Sequence, residues 1–216
     1  MPKFHDVEQN TPEWKALRLG IITASNMDSI ISPTGVESKS VDKYINKLIA
    51  EQITGESADT FEGNPHTARG HEYQQEAADY FAMLHGVELK QVGFVTTDDG
   101  LLGCSPDYLI GDDAFLEVKT GLPHIMVENY LSGKLEQSHR PQTQATAYIL
   151  QRNRCFTMLY NPLIKPIIIE SKRNDQFIMD MIRYVANAMQ MMQKKKAILA
   201  EQGFFAEDGG KYLRAG

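Results

Sequence analysis

The spacing of apolar positions divides the chain into helical and extended stretches. Over 41–54, Val41, Tyr44, Ile45, Leu48, Ile49 and Ile53 recur at intervals that predict a helix with one apolar face, closed by Gly55. Thr11-Pro12-Glu13 predicts a shorter helix before it, with Thr11 as N-cap and Pro12 in the first turn, ending near Gly20. Ser25 is read as the N-cap of another. Residues 56–66 are polar and predict a loop, and 68–85 predict a longer helix that stops at Gly86. The period then shortens. Residues 88–96, 101–104, 107–110 and 114–120 carry β-branched and aromatic residues in short runs. Asp98-Asp99-Gly100 and Gly111-Asp112-Asp113 punctuate them, so they predict a meander of strands. Residues 124–132 and 141–152 read as helices, and 155–160 and 166–171 as two more strands. Phe177, Ile178, Met181, Ile182, Val185, Met189 and Met192 mark one face of a long closing helix. This order predicts an α/β fold, a mixed central sheet with helices on both faces.

Composition narrows the picture. The 216 residues show no repeat and no linker, which predicts one domain over 1–216. No apolar stretch approaches the roughly 20 residues that span a bilayer, and MPKFHDVEQN has no signal-peptide pattern, so a cytoplasmic protein without a membrane partner is expected. Two cysteines, Cys104 and Cys155, exclude a disulfide framework and a four-cysteine metal site, and both read as small buried hydrophobes. The net charge of −6 is unevenly spread: residues 1–139 hold 10 Lys/Arg against 22 Asp/Glu, and residues 140–216 hold 12 against 6. That asymmetry permits a polyanion-binding face beside an acidic, cation-binding one.

The most informative chemistry is Ser105-Pro106-Asp107 followed by Glu117-Val118-Lys119. Residues two apart on a strand share a face, so Glu117 and Lys119 project together, and a neighbouring strand across the Gly-Asp-Asp turn can bring Asp107 beside them. Paired carboxylates repel unless a cation separates them, and hard oxygen donors suit Mg²⁺ or Mn²⁺. The Val118 carbonyl is a further donor if its strand ends there. Spacing alone is equally compatible with a solvated surface hairpin.

Five segments in order change that balance: EWKALRLGIITAS (13–25), ARGHEYQQEA (68–77), GCSPDY from Gly103, LEVK (116–119) and QTQATAY (142–148). Together they resemble the lambda-exonuclease (YqaJ) family of phage recombination nucleases, within the PD-(D/E)xK superfamily. The resemblance implies that superfamily's restriction-endonuclease-like core. It further implies Mg²⁺-dependent 5′→3′ digestion of one strand of linear duplex DNA to mononucleotides, with two ions per site and a 3′ overhang left behind. A homotrimeric ring, a single-strand annealing protein as partner and a phage or prophage setting follow from the same resemblance. By residue, it makes Asp107, Glu117 and the Val118 carbonyl metal ligands and gives Lys119 the attacking water. Arg18, Ser25 and Ser105 become the pocket for a 5′-terminal phosphate, and Gln144 a catalytic residue near the water. Gln142 and Tyr148, on the same helix, are possible DNA contacts.

One position departs from that pattern. Gln74 stands where the lambda-like motif has a metal-binding Glu, so Gln74 is expected at the site with a second ion bound more weakly. Glu72 and Glu76 lie about 200° away round the helix and cannot replace it. An endonuclease on the same fold and a non-catalytic DNA-end scaffold are the competing functions. Blander readings also stand: Arg18 packed on Trp14, Ser105 as a turn residue, His71 as a surface or core residue, the methionines of 179–192 as core or subunit interface, and Lys194-Lys195-Lys196 as a solvated helix end.

Overall fold

The computed structural model describes residues 1–58, 65–133 and 135–204, with backbone only for 65–72 and 136. The 59–64 part of the predicted loop and the His71 and Glu72 side chains lie outside the described residues. The elements run β1 (Lys3–His5), α1 (Pro12–Arg18), β2 (Ile22–Thr23), a 3₁₀ helix (Ala24–Ser29), α2 (Val41–Thr54) and α3 (Pro65–His85). There follow β3 (Leu89–Lys90), β4 (Phe94–Thr96), β5 (Leu102–Cys104), β6 (Tyr108–Ile110) and β7 (Ala114–Thr120). α4 (Pro123–Ser132), α5 (Leu135–Leu150), β8 (Arg154–Asn161), β9 (Ile164–Lys172) and α6 (Asp175–Glu201) complete the chain. Among the described residues no helix is long and apolar enough to cross a membrane.

The strands form two sheets, β1-β4-β5-β2 and β3-β6-β7-β8-β9. Both are mixed: β2 runs parallel to β5, and β7 parallel to β8 across the α4–α5 connection. Side-chain alternation on the second sheet builds two layers. Leu116, Val118, Phe156, Met158 and Tyr160 pack on Ala77, Ala78 and Phe81 of α3. Phe115 and Cys155 face the opposite way, into the main core with Ala145 and Ile149 of α5 and with α2 and α6. Glu117 and Lys119 share the parity of Phe115, so they point to the α5 side.

Several boundaries match the apolar pattern closely. Thr11 caps α1 by accepting from the Trp14 N–H, α2 ends at Gly55 in the left-handed region, and β7 occupies 114–120. Other expectations are corrected. Ser25 is no N-cap: Thr23 holds that position and Ser25 lies inside the 3₁₀ helix. The 88–96 run is broken into β3 and β4, which join different sheets. Gly93 sits at the break, where a Cβ would lie 1.8 Å from the Val7 carbonyl oxygen, so the N-terminal segment can cross there only over glycine. α5 begins at Leu135, six residues earlier than expected, because Pro141 lies within it rather than opening it. Lys195 bonds Asp42 and Asn46 at 2.6 and 2.7 Å, and Lys196 bonds Gln52 at 2.9 Å, so these lysines tie α6 to α2. Both cysteines are buried, as are Met181 and Met192, whereas Met179 is exposed.

Candidate active site

Strand register brings the predicted residues together at two adjoining places. The β6–β7 ladder pairs Tyr108 with Leu116, so one further step sets Asp107 opposite Glu117. The ladder stops there, and Asp107 Oδ2 instead accepts the Val118 N–H at 2.6 Å. In an extended chain the N–H and C=O of one residue share an edge, so the Val118 carbonyl projects toward the same side as Asp107. The strand itself does not end at Val118, as the sequence reading required, but runs on to Thr120. It is β6 that ends and leaves this edge of β7 open.

Gln74 enters from α3, on the opposite face from α5, and its Nε2 donates to Asp107 Oδ1 at 2.7 Å. Lys119 Nζ donates to Glu117 Oε1 at 3.1 Å and to Gln142 Oε1 at 3.1 Å. Gln142 Nε2 also donates to Glu117 Oε1. Glu117 Oε2 is buried and has no hydrogen-bond partner among the described residues.

The electrostatics reflect crowding of like charge. Burial first, and then the Glu117 charge, push the Asp107 carboxyl from an ordinary 3.8 up to about 8, against the opposing pull of Lys119, the Val118 N–H and Gln74. At Lys119 burial works against the ammonium, but Glu117 and Asp107 outweigh it and raise its pKa. A partnerless buried carboxylate oxygen beside a second, reluctant carboxylate fits a divalent cation held by hard oxygens. Among the described residues no cluster of three or more His, Cys, Asp and Glu side chains is placed to hold a metal.

The second place lies two residues upstream of Asp107. Parallel β2 and β5 pair Thr23 with Gly103, so Ser25 and Ser105, each two residues on, emerge at one end of the sheet. Trp14 Nε1 donates to Ser105 Oγ at 2.8 Å, the Arg18 guanidinium stacks 4.2 Å from the Trp14 ring centroid, and Arg18 Nη2 donates to Ser25 Oγ at 3.0 Å. Arg18 therefore stacks on Trp14 and bonds Ser25 at the same time. Gln9 Nε2 braces the intervening turn through the Pro106 carbonyl at 3.1 Å.

One residue expected near the attacking water is not beside these groups. Gln144 is buried and committed elsewhere: its Nε2 donates to the Lys172 carbonyl at 2.9 Å, and its Oε1 accepts the Asn174 N–H at 2.7 Å. Two residues on a helix are about 200° apart, so one of Gln142 and Gln144 must turn away, and it is Gln144. Tyr148, one turn beyond Gln144 on its face, is half-buried against the main core. The sequence reading passed over His139. It lies three residues before Gln142 on the same face of α5, and burial and the Lys119 charge lower its pKa. That spacing was the available signal.

Two carboxylates and a lysine thus converge where a mixed α/β sheet breaks open, on a core of the PD-(D/E)xK kind. The chain belongs to the YqaJ-like viral recombinase domain family, which matches residues 13–153. No curated protein matches it. Among solved structures it is similar to an alkaline exonuclease (LHK-Exo) from Laribacter hongkongensis, at 24% identity and TM-score 0.80, covering 89% of this chain and 98% of that one. The same enzyme in complex with dAMP gives 23% identity and the same TM-score and coverage. A phage-related exonuclease from Haemophilus somnus 129PT is similar at 12% identity and TM-score 0.66, over 83% of this chain and 96% of that one. At these identities the structural likeness establishes the fold.

Proposed function

We propose that this chain, as one nuclease domain over 1–216, digests one strand of linear double-stranded DNA from 5′ to 3′, releases mononucleotides and leaves a 3′ overhang. The observation that carries the reading is adjacency. The Trp14–Arg18–Ser25–Ser105 cluster joins the carboxylate–lysine site through Ser105-Pro106-Asp107. A guanidinium with two hydroxyls is a good partner for a terminal phosphate. Anchoring that phosphate beside the cleaving groups makes cutting a matter of distance from an end. A fold neighbour named an alkaline exonuclease and solved with dAMP is consistent with it.

Asp107, Glu117 Oε2 and the Val118 carbonyl would hold one Mg²⁺, with Mn²⁺ as a substitute, and Gln74 would offer an amide oxygen to a second, weaker ion after turning from Asp107. When bound, such ions lower the pKa of a water and stabilise the leaving oxygen. Lys119 orients the attacking water and stabilises charge developing on the phosphate. Arg18, Ser25 and Ser105 hold the 5′ phosphate. We further propose a homotrimeric ring, a single-strand annealing protein as partner, and a phage or prophage setting in a bacterial cytoplasm. Light scattering should then give three times the 24.3 kDa chain mass.

The test uses Mg²⁺ with linear duplexes labelled on either strand, 5′-phosphorylated or 5′-hydroxyl, and a closed circle. Mononucleotides should come from 5′ ends, faster from phosphorylated ones. Arg18→Ala should slow digestion most on phosphorylated ends. Lys119→Ala should abolish cleavage and keep end binding. Cutting of the circle would replace this reading with an endonuclease, and no cutting with either metal would replace it with an end-binding scaffold.

A further inference from the structure

We infer that Gln142 is a positioning residue that selects which oxygen of Glu117 meets the metal and holds Lys119 beside it; the inference rests on the metal-dependent reading above. Gln142, Glu117 and Lys119 form a closed triangle. Gln142 Oε1 accepts from Lys119 Nζ at 3.1 Å, Gln142 Nε2 donates to Glu117 Oε1, and Lys119 Nζ donates to that same Oε1 at 3.1 Å.

The partners fix the amide's orientation. An ammonium only donates and an ionised carboxylate only accepts, so the oxygen must face Lys119 and the NH₂ group must face Glu117. Reversal would set two acceptors and two donors against each other. Both ends of the amide are thereby used within the site, which argues against a DNA-contact role for Gln142.

The triangle makes Glu117 asymmetric. Oε1 receives two donors, while Oε2, equally part of a side chain only 4% exposed, receives none among the described residues. A buried carboxylate free to rotate would share donors between its oxygens. Gln142 opposes that rotation from α5, one layer above the strand, and leaves Oε2 as the oxygen with unused lone pairs. It also gives Lys119, 27% exposed, a second bond beside the one to the same carboxylate. Glutamine suits this place because a carboxylate would repel Glu117, an ammonium would repel Lys119, and asparagine is one methylene too short to reach both.

The experiment compares the full chain with Gln142→Met, which keeps length and loses both bonds. Mn²⁺ affinity is measured calorimetrically without DNA. Digestion of a 5′-phosphorylated linear duplex is measured over a range of Mg²⁺ concentration. Outer residues that orient metal ligands typically contribute about 10–100-fold in affinity or activity. Mn²⁺ binding should therefore weaken about tenfold or more, and kcat should fall with KM for DNA ends unchanged. Raised Mg²⁺ should restore part of kcat, which a merely structural role would not allow. If Gln142→Met does not fold, Gln142→Asn carries the same expectation. Wild-type Mn²⁺ affinity and kcat in the variant would overturn the inference, and so would a rise in KM alone, which marks a DNA contact. A wild-type chain that binds no Mn²⁺ overturns the metal reading itself, and this inference with it.

Discussion

Asp107 carries the clearest conflict at the scale of single residues. Its carboxyl is held up to about 8, against 3.8 in an unstructured chain, chiefly by burial and by Glu117. Between those values the folded chain keeps a proton that the unfolded chain has lost. Stability without metal therefore falls as pH rises from about 4 to about 8, and this contribution is level outside that window. Under the proposed function a divalent ion would bind the ionised pair and reverse the trend. Melting curves in chelator from pH 5 to 9 should show Asp107→Asn gaining on wild type as pH rises, with most of the difference established by pH 8. Curves that stay parallel would remove Asp107 as the origin. The residue pattern Asp107, Glu117, Lys119 was legible because a two-residue spacing on a strand fixes a shared face. The Asp107 shift was not, because it depends on what surrounds the pair.

α5 shows what the element scale adds. The helix was legible, but its rotation was not. From Pro141 to Leu150 it is buried or half-buried at every position, so no polar face exists to orient it. Packing against the sheet and α6 decides that Gln142 meets Glu117 and that Gln144 ties α5 to the β9–α6 junction. These roles separate experimentally. Gln144→Met should lower stability by about 1–3 kcal/mol, since it removes two part-buried hydrogen bonds to the backbone of Lys172 and Asn174, while kcat well below the melting temperature stays within about twofold of wild type. Denaturant unfolding and initial rates on one preparation test this, and a large loss of kcat with an unchanged midpoint would return Gln144 to catalysis. The split of 88–96 has a similar cause: composition reads as one strand, but the approach of Val7 over Gly93 bends the chain between sheets.

At the scale of the whole molecule, several basic residues of the C-terminal part are paired within the fold, one of them with the acidic N-terminal part and the rest with carboxylates of the C-terminal part itself. Lys195 lies on Asp42, and Arg173, Arg154 and Arg183 each pair with a carboxylate. The lysine run near the end of α6 therefore serves helix packing more than a polyanion. Lys195→Met should leave the salt dependence of duplex binding unchanged, where loss of one phosphate contact would reduce the logarithmic slope by about 1. A titration of binding against salt for both proteins decides between them. Exposed pairs of this kind contribute about 0–1 kcal/mol, so the melting temperature should move little.

By itself the sequence determined the α/β class, the main helices, the β7 strand and the carboxylate–lysine set, because these follow from local period, turn residues and two-residue spacing. Its five ordered segments also pointed to the family that the 13–153 match establishes. Tertiary structure decided what depends on contacts far apart in the chain. The parallel register of β2 with β5 sets Ser25 beside Ser105, the early end of β6 opens the Val118 edge to Asp107, and the rotation of α5 chooses Gln142 over Gln144. Each is settled by which surfaces bury one another, a choice that spacing along the chain leaves open.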